Sequence, residues 1–315
     1  MQENKVKKYN KFLWVETFRP QTVKDILMPN NIKKQFIKMV KQKSIPNLLL
    51  YSSGPGVGKT TLAKALCKDL NADYKYINVS KDSGIDTLRV NIQKFASTKS
   101  FSGGQKIVIM DEFDGASKNL QQALRAAIEE FHKVCRFIFT CNYITQIIEP
   151  LKSRCQEFDM NYTDSNSLKE LKPEIEKRIT DILNFKKIEY DVDVIKKLID
   201  VKYPDIRKTI QLCQQYSNTN GIIDNNIFNF EKLDEEFYDY LLKKQFNKAR
   251  KYVIEKNYDY TEMYSNLYKE FIPKLEKSIQ PQAILVIAQY QYWHTNVVDP
   301  EINFAACLIE LMQTF

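Results

Sequence analysis

Residues 48–66 read Leu48-Leu49-Leu50-Tyr51-Ser52-Ser53-Gly54-Pro55-Gly56-Val57-Gly58-Lys59-Thr60-Thr61-Leu62-Ala63-Lys64-Ala65-Leu66. An apolar run, a glycine-rich turn and a helix-forming run follow one another without a gap, the strand–turn–helix context of a phosphate-binding loop. Glycine lets the backbone curl so that several N–H groups face one anion, Lys59 can reach the β- and γ-phosphates, and Thr60 offers a hydroxyl to a divalent cation. Ser53 stands where the pattern G-x-x-x-x-G-K-[ST] has glycine, and serine is small enough to be tolerated there. A nucleoside triphosphate is the expected ligand.

Outward from the loop, apolar strands and periodic helices alternate. Tyr74-Lys75-Tyr76-Ile77-Asn78-Val79 reads as a strand, residues 86–98 as a helix, and Lys106-Ile107-Val108-Ile109-Met110-Asp111 as a buried strand. Residues 119–131 then have helical periodicity, and Arg136-Phe137-Ile138-Phe139-Thr140-Cys141 forms another buried strand. Continuous apolar strands separated by helices predict a parallel sheet covered on both faces, with ligands at the carboxyl ends of the strands. From about residue 159 only helical patterns remain, over 167–183, 192–201 and 206–216, with a turn-rich break at Ser217-Asn218-Thr219-Asn220-Gly221. A further helical region runs from about residue 230, and in it Asp299 is placed to cap a helix that has Pro300 at its first position.

Composition sets wide bounds. The chain has 315 residues, 43% of them hydrophobic, which suffices for two or three domains with their own cores. No apolar run approaches the ~20 residues of a membrane span, and the first residues lack a signal-peptide pattern, so a cytoplasmic location is expected. Six scattered cysteines and two histidines make a zinc site or histidine-based nucleophilic catalysis improbable. The formal charge of +8 resides entirely in residues 1–50, which hold 11 basic and 3 acidic residues. That excess reads either as a solvated lysine face or as a face that meets a polyanion.

Three further features carry chemistry. Asp111-Glu112 ends a buried strand with two carboxylates: Asp111 would bind Mg²⁺ and Glu112 would polarise an attacking water, unless both merely cap the next helix. Asn142 ends the next strand. If that strand lies between the loop and Asp111, its amide would point at the γ-phosphate; a turn-forming asparagine is the alternative. Ser153-Arg154-Cys155 lies across the sheet from the loop's own nucleotide, so Arg154 is either a surface arginine or one that completes a neighbouring subunit's site.

With Trp14-Val15-Glu16-Thr17-Phe18-Arg19-Pro20, Ile85-Asp86, Phe95-Ala96-Ser97-Thr98, Asp111-Glu112-Phe113-Asp114, Gln121 before Leu124-Arg125, Ser153-Arg154-Cys155 and Pro204-Asp205-Ile206-Arg207-Lys208, the chain resembles the AAA+ subunits of sliding-clamp loaders. It looks in particular like the large, ATPase-bearing subunit of T4-like bacteriophage loaders. The resemblance is strong over residues 12–215 and looser beyond. It implies an α/β AAA+ P-loop ATPase domain with a parallel sheet over residues 1–158, a small helical lid over 159–228 and an all-helical collar over 229–315. By similarity Trp14, Val15, Phe18, Arg19 and Pro20 border the base, and Ser53, Gly54, Pro55, Gly56, Val57, Gly58, Lys59, Thr60 and Thr61 hold the phosphates. Thr60 and Asp111 hold Mg²⁺, Asn142 and Arg207 sense the γ-phosphate, Glu112 is the base, Arg154 acts in trans, and Gln121 couples DNA contact to Glu112.

The implied ligands are ATP and Mg²⁺. The implied partners are other copies of the chain, four by similarity, with a distinct small subunit in a spiral of five, the sliding clamp and primer-template DNA, with no membrane. ATP binding would open the clamp, and DNA-triggered hydrolysis would release it. Ser83, Arg89 and Lys118 stand at or near helix starts and are candidates for DNA phosphates, with caps or solvated charges as the alternative. Phe101 is either a clamp contact or packing under its loop. Two rival expectations remain: a loader subunit that holds nucleotide without cleaving it, and another AAA+ DNA motor such as a helicase loader.

Overall fold

The computed structural model describes residues 13–80, 85–98, 105–230, 235–256, 260–294 and 297–315. Two compact units divide the chain, Met1–Asn225 and Asn226–Phe315.

In the first unit, after helices α1 (Trp14–Thr17) and α2 (Asn30–Lys41), five parallel strands form one sheet. They are β1 (Leu48–Tyr51), β2 (Asp73–Asn78), β3 (Lys106–Asp111), β4 (Cys135–Cys141) and β5 (Gln156–Asp159), in the spatial order β2-β3-β4-β1-β5. The central strands are apolar because both their faces are covered. Leu48, Leu50, Ile107, Ile109 and Ile138 pack on one side with α2 and α3 (Lys59–Asp69). Leu49, Val108, Met110, Phe137 and Phe139 pack on the other with α4 (Ile85–Ser97) and α5 (Lys118–Phe131). Even Lys106 in β3 is buried, and its ammonium is satisfied by the Phe95 carbonyl at 2.6 Å and Thr98 Oγ1 at 2.7 Å. Placing β4 between β1 and β3 brings Asn142 between the glycine-rich loop and Asp111.

A short helix α6 (Glu149–Lys152) leads to β5, and three helices then follow, α7 (Ser165–Lys186), α8 (Val192–Lys202) and α9 (Ile206–Asn220). Each begins at an aspartate whose carboxylate accepts backbone N–H groups: Asp164, Asp191 and Asp205. The expectation of helices alone beyond residue 159 needs correction, since β6 (Glu189–Tyr190) pairs in parallel with β7 (Ile222–Ile223). The break expected at 217–221 is also displaced. Helix α9 continues to Asn220 and stops at Gly221, whose φ of 75° supplies the left-handed C-cap.

In the second unit α10 (Ile227–Phe230), α11 (Glu235–Leu242), α12 (Phe246–Lys256), α13 (Tyr260–Asn266), α14 (Gln280–His294) and α15 (Pro300–Gln313) enclose an aromatic core around Phe237, Tyr238, Tyr264, Phe271 and Phe304. Asp299 caps α15 through the N–H groups of Glu301 and Ile302, with Pro300 first in the helix. Buried Asn303 is satisfied by donating to Tyr264 Oη and to the Tyr290 carbonyl. Among the described residues no helix is long and apolar enough to cross a membrane.

Candidate functional site

The loop between β1 and α3 takes two left-handed residues, Gly56 at φ 80° and Gly58 at φ 100°, conformations that cost an L-residue with a Cβ. Gly58 is also the N-cap of α3, so the helix starts at Lys59 with its N–H groups facing the loop's concave side. Lys59 Nζ donates to Ser52 Oγ at 2.6 Å, the Gly54 carbonyl at 2.9 Å and Asn142 Oδ1 at 2.8 Å. Burial holds the Lys59 ammonium below the usual lysine range, opposed by nearby Cys141, Asp114 and Asp111. Ser53 faces elsewhere: its N–H and hydroxyl both donate to Asn161 Oδ1.

At the end of β3 the Asp111 carboxylate is donor-rich. Its Oδ1 accepts from Thr60 Oγ1 at 2.7 Å and from the Thr140 hydroxyl, and its Oδ2 accepts from Tyr76 Oη at 2.7 Å. Burial first, then the hydrogen bond to Asp111, pushes the Tyr76 phenol up to about 12, so it stays a donor at neutral pH. Glu112 holds a left-handed backbone at φ 54°, unusual for a residue with a side chain. Its N–H reaches Thr140 Oγ1 at 3.3 Å, and it lines the same cavity as Lys59, Thr60, Asp111 and Asn142. Asp114 Oδ2 accepts the N–H groups of Asn142 and Tyr143 and so ties the ends of β3 and β4 together.

Metal chemistry fits this donor set. Thr60 and Asp111 offer adjacent hard oxygens, and no group of three or more His, Cys, Asp or Glu forms a cage among the described residues. One carboxylate and one hydroxyl beside a phosphate cradle suit a cation such as Mg²⁺, which shares its coordination with substrate phosphates and water.

A second, apolar cavity adjoins the loop. Val15, Phe18, Arg19 and Pro20 line it from the N-terminal segment, Val57, Gly58 and Thr61 from the loop and α3, and Ile206, Arg207 and Ile210 from α9. Trp14 is not among its lining residues. It is buried instead, and its backbone N–H donates to Gln214 Oε1 of α9 at 2.8 Å, tying the N-terminal segment to the helical part. Arg207 borders both cavities, and its guanidinium makes no hydrogen bond or ion pair among the described residues. At the start of α9, Asp205 presses on the loop so closely that a Cβ on Gly56 would lie 1.7 Å from its Oδ1.

Other expected residues lie apart from this constellation. Gln121 makes no hydrogen bond to Glu112 among the described residues: it is buried, donates to the Ala116 and Gln146 carbonyls and accepts the Ile148 N–H. Arg154 lines neither cavity and pairs with Glu129, Nε to Oε1 at 2.9 Å, while its Nη1 reaches the Pro150 carbonyl at 2.6 Å. That hydrogen bond, with the guanidinium charge, holds Glu129 below the usual carboxylate range. Lys118 is the exposed first residue of α5, whose cap is Ser117. Arg89 falls inside α4, one turn from its start, and Ser83 and Phe101 lie outside the described residues. Thr140, Tyr76, Lys64 and Arg178, which border these cavities, carry no motif of their own in the sequence.

Comparison with known proteins bears on this geometry. The model of the AAA family, ATPases associated with various cellular activities, matches residues 48–162. The sliding-clamp-loader large subunit of Enterobacteria phage T4 is 32% identical over 303 residues, covering 94% of each chain. The chain belongs to the sliding-clamp-loader family. The chain is also similar to the replication factor C small subunit of Archaeoglobus fulgidus, 29% identical over 316 residues, 95% of this chain and 97% of that protein. The fold is also similar to that of the Thermotoga maritima RuvB Holliday junction branch migration motor, with a TM-score of 0.52, 16% identity, and 77% of this chain and 86% of that chain covered. As a clamp-loader AAA protein the chain is a nucleotide-binding ATPase of α/β P-loop architecture.

Proposed function

We propose that the chain is the ATP-hydrolysing subunit of a DNA-replication clamp loader, which uses Mg²⁺-ATP binding to open a sliding clamp and DNA-triggered hydrolysis to release it on primer-template DNA. One observation carries the reading: Lys59, Thr60, Asp111, Glu112, Asn142 and Arg207 line a single cavity, so phosphate binding, cation binding, contact with the γ-phosphate and water activation each have a candidate there. Lys59 and the loop N–H groups would bind the phosphates, Thr60 and Asp111 the cation, and Asn142 and Arg207 the γ-phosphate. Mg²⁺, when bound, supplies charge neutralisation between the phosphates. Glu112 is the base, set to take a proton from the attacking water.

Arg154 lines neither cavity of its own protomer, which supports a role in a neighbour's site and hence activity only on assembly. In this reading residues 1–158 form the ATPase domain, 159–228 its lid and 229–315 a collar, and the working complex contains several copies with a distinct small subunit. Gln121 would transmit DNA contact through the backbone it holds rather than by touching Glu112.

Clamp- and DNA-stimulated phosphate release by the assembled complex tests the proposal. Glu112→Gln is expected to keep nucleotide binding and lower turnover by about 10²- to 10⁴-fold. Equal rates for both proteins would remove Glu112 as the catalytic base. A stable homohexamer by native mass measurement would instead indicate a different AAA motor.

A further inference from the structure

Strand β2 lies at the edge of the sheet, yet one of its side chains reaches into the phosphate cavity. Tyr74 and Tyr76 point to the same face, two residues apart, but only Tyr76 has a polar partner at the site. In register Asn78 is opposite Asp111 and Tyr76 is opposite Ile109, so the phenol crosses diagonally to the carboxylate. Its hydroxyl is the one donor to Oδ2 among the described residues, whereas Oδ1 accepts both Thr60 and Thr140. The ring is held in turn by Lys64, whose Nζ lies 4.3 Å from its centroid, and Lys64 follows Thr60 by one turn of α3. Helix α3 therefore grips both ends of one chain of contacts, Thr60 to Asp111 to Tyr76 to Lys64.

We propose that Tyr76 is a positioning residue for the divalent-cation site: by holding Oδ2 of Asp111 it fixes the carboxylate plane so that Oδ1, beside the Thr60 hydroxyl, is the oxygen presented to the cation. This rests on the reading of Thr60 and Asp111 as the cation's protein ligands. The terminal torsion of aspartate is soft and roughly two-fold, so a carboxylate anchored at one oxygen alone can swing about its last bond. Donors on both oxygens remove that freedom, the role that outer partners of metal ligands play generally.

Equilibrium binding of a fluorescent, non-hydrolysable ATP analogue to the full chain, titrated with Mg²⁺ from an EDTA baseline, reads the effect without turnover. Tyr76→Phe keeps the ring and loses the hydroxyl, and Tyr76→Leu loses both. Both variants are expected to raise the half-saturating Mg²⁺ concentration by about 10-fold, while nucleotide affinity in EDTA stays at the wild-type value. Wild-type Mg²⁺ dependence in Tyr76→Phe would overturn the proposal, as would an equal loss of affinity with and without Mg²⁺. Thermal unfolding without cation checks that both variants are folded, and if only Tyr76→Leu shifts, the ring and not the hydroxyl is responsible and the proposal falls. Failure of the wild type itself to respond to Mg²⁺ would strike the underlying site reading instead.

Discussion

Gly56→Ala is the perturbation for which the fold makes the sharpest forecast. Two separate costs meet at this position. A residue with a Cβ at φ 80° pays the left-handed penalty, about 1–2 kcal/mol. Its Cβ would also sit 1.7 Å from Asp205 Oδ1 and 2.4 Å from Asp205 Cγ, so the aspartate must move. That carboxylate caps α9, accepting the Lys208 N–H at 2.9 Å, and losing a cap costs about 1 kcal/mol. The sum is about 2–3 kcal/mol. Gly58→Ala is the control, because Gly58 has φ 100° but nothing within 4 Å of its would-be Cβ, so only the first cost applies.

The measurement is urea unfolding without nucleotide, followed by the fluorescence of Trp14. Replacing Trp293 by phenylalanine leaves Trp14 as the sole tryptophan of two, and Trp14 is bonded through its N–H to Gln214 of α9, so it reports the helix that Asp205 starts. Gly56→Ala is expected to be less stable than Gly58→Ala by about 1 kcal/mol, and adding Asp205→Gly, a tolerated cap, should remove most of that difference. Equal destabilisation of the two alanine variants, or no relief from Asp205→Gly, would refute the argument that Asp205 presses on the loop.

Gln121→Ala removes an amide with three backbone partners in a buried position, leaving two carbonyls and one N–H unpaired, and should cost about 2–4 kcal/mol in urea unfolding. A loss under 1 kcal/mol would show that water replaces the amide easily. For the Arg154–Glu129 pair the sign follows from a depressed folded pKa: any stabilisation is complete above the ordinary carboxylate value and fades as pH falls through the lowered one. Carboxyl NMR of Glu129 in Arg154→Ala should therefore show its titration midpoint moving up toward the ordinary value, and an unmoved midpoint would assign the depression to another cause. The same variant in the assembled complex should keep ATP binding and lose about 10³-fold in hydrolysis, whereas lost binding would place Arg154 in its own protomer's site.

Features that depend on neighbours in the chain are legible in the sequence, and features that depend on register are not. The loop, the apolar strands β3 and β4 and the carboxylates at the end of β3 are all local patterns. Strand β5 escapes because Phe158 is its one buried residue, and β6 and β7 because two-residue strands have no periodicity to read. Helix α9 outlasts its expected end because the polar run Asn218-Thr219-Asn220 is tolerated on an exposed surface until Gly221 turns the chain. Tyr76 and Thr140 come from strands on either side of β3, and neither identity signals a role until sheet order sets both beside Asp111. Gln121 is flagged by its motif, but the motif says nothing of the three backbone groups that hold it.

The same distinction explains how the loop is kept ready. Three acceptors meet the Lys59 ammonium, a hydroxyl, a carbonyl and an amide oxygen, and all three are neutral; among the described residues no carboxylate forms an ion pair with it. Burial already strains its charge, so the ammonium gains most from a partner that is itself charged. A phosphate entering the loop replaces bonds to neutral acceptors by bonds between two opposite charges, and breaks no salt bridge among the described residues in doing so. Asp111 lines the same cavity with both oxygens already engaged by neutral hydroxyls, and among the described residues it forms no ion pair with Lys59. Opposite charges kept apart by neutral groups form a site that binds an anion and a cation together more readily than one whose lysine and aspartate had neutralised each other.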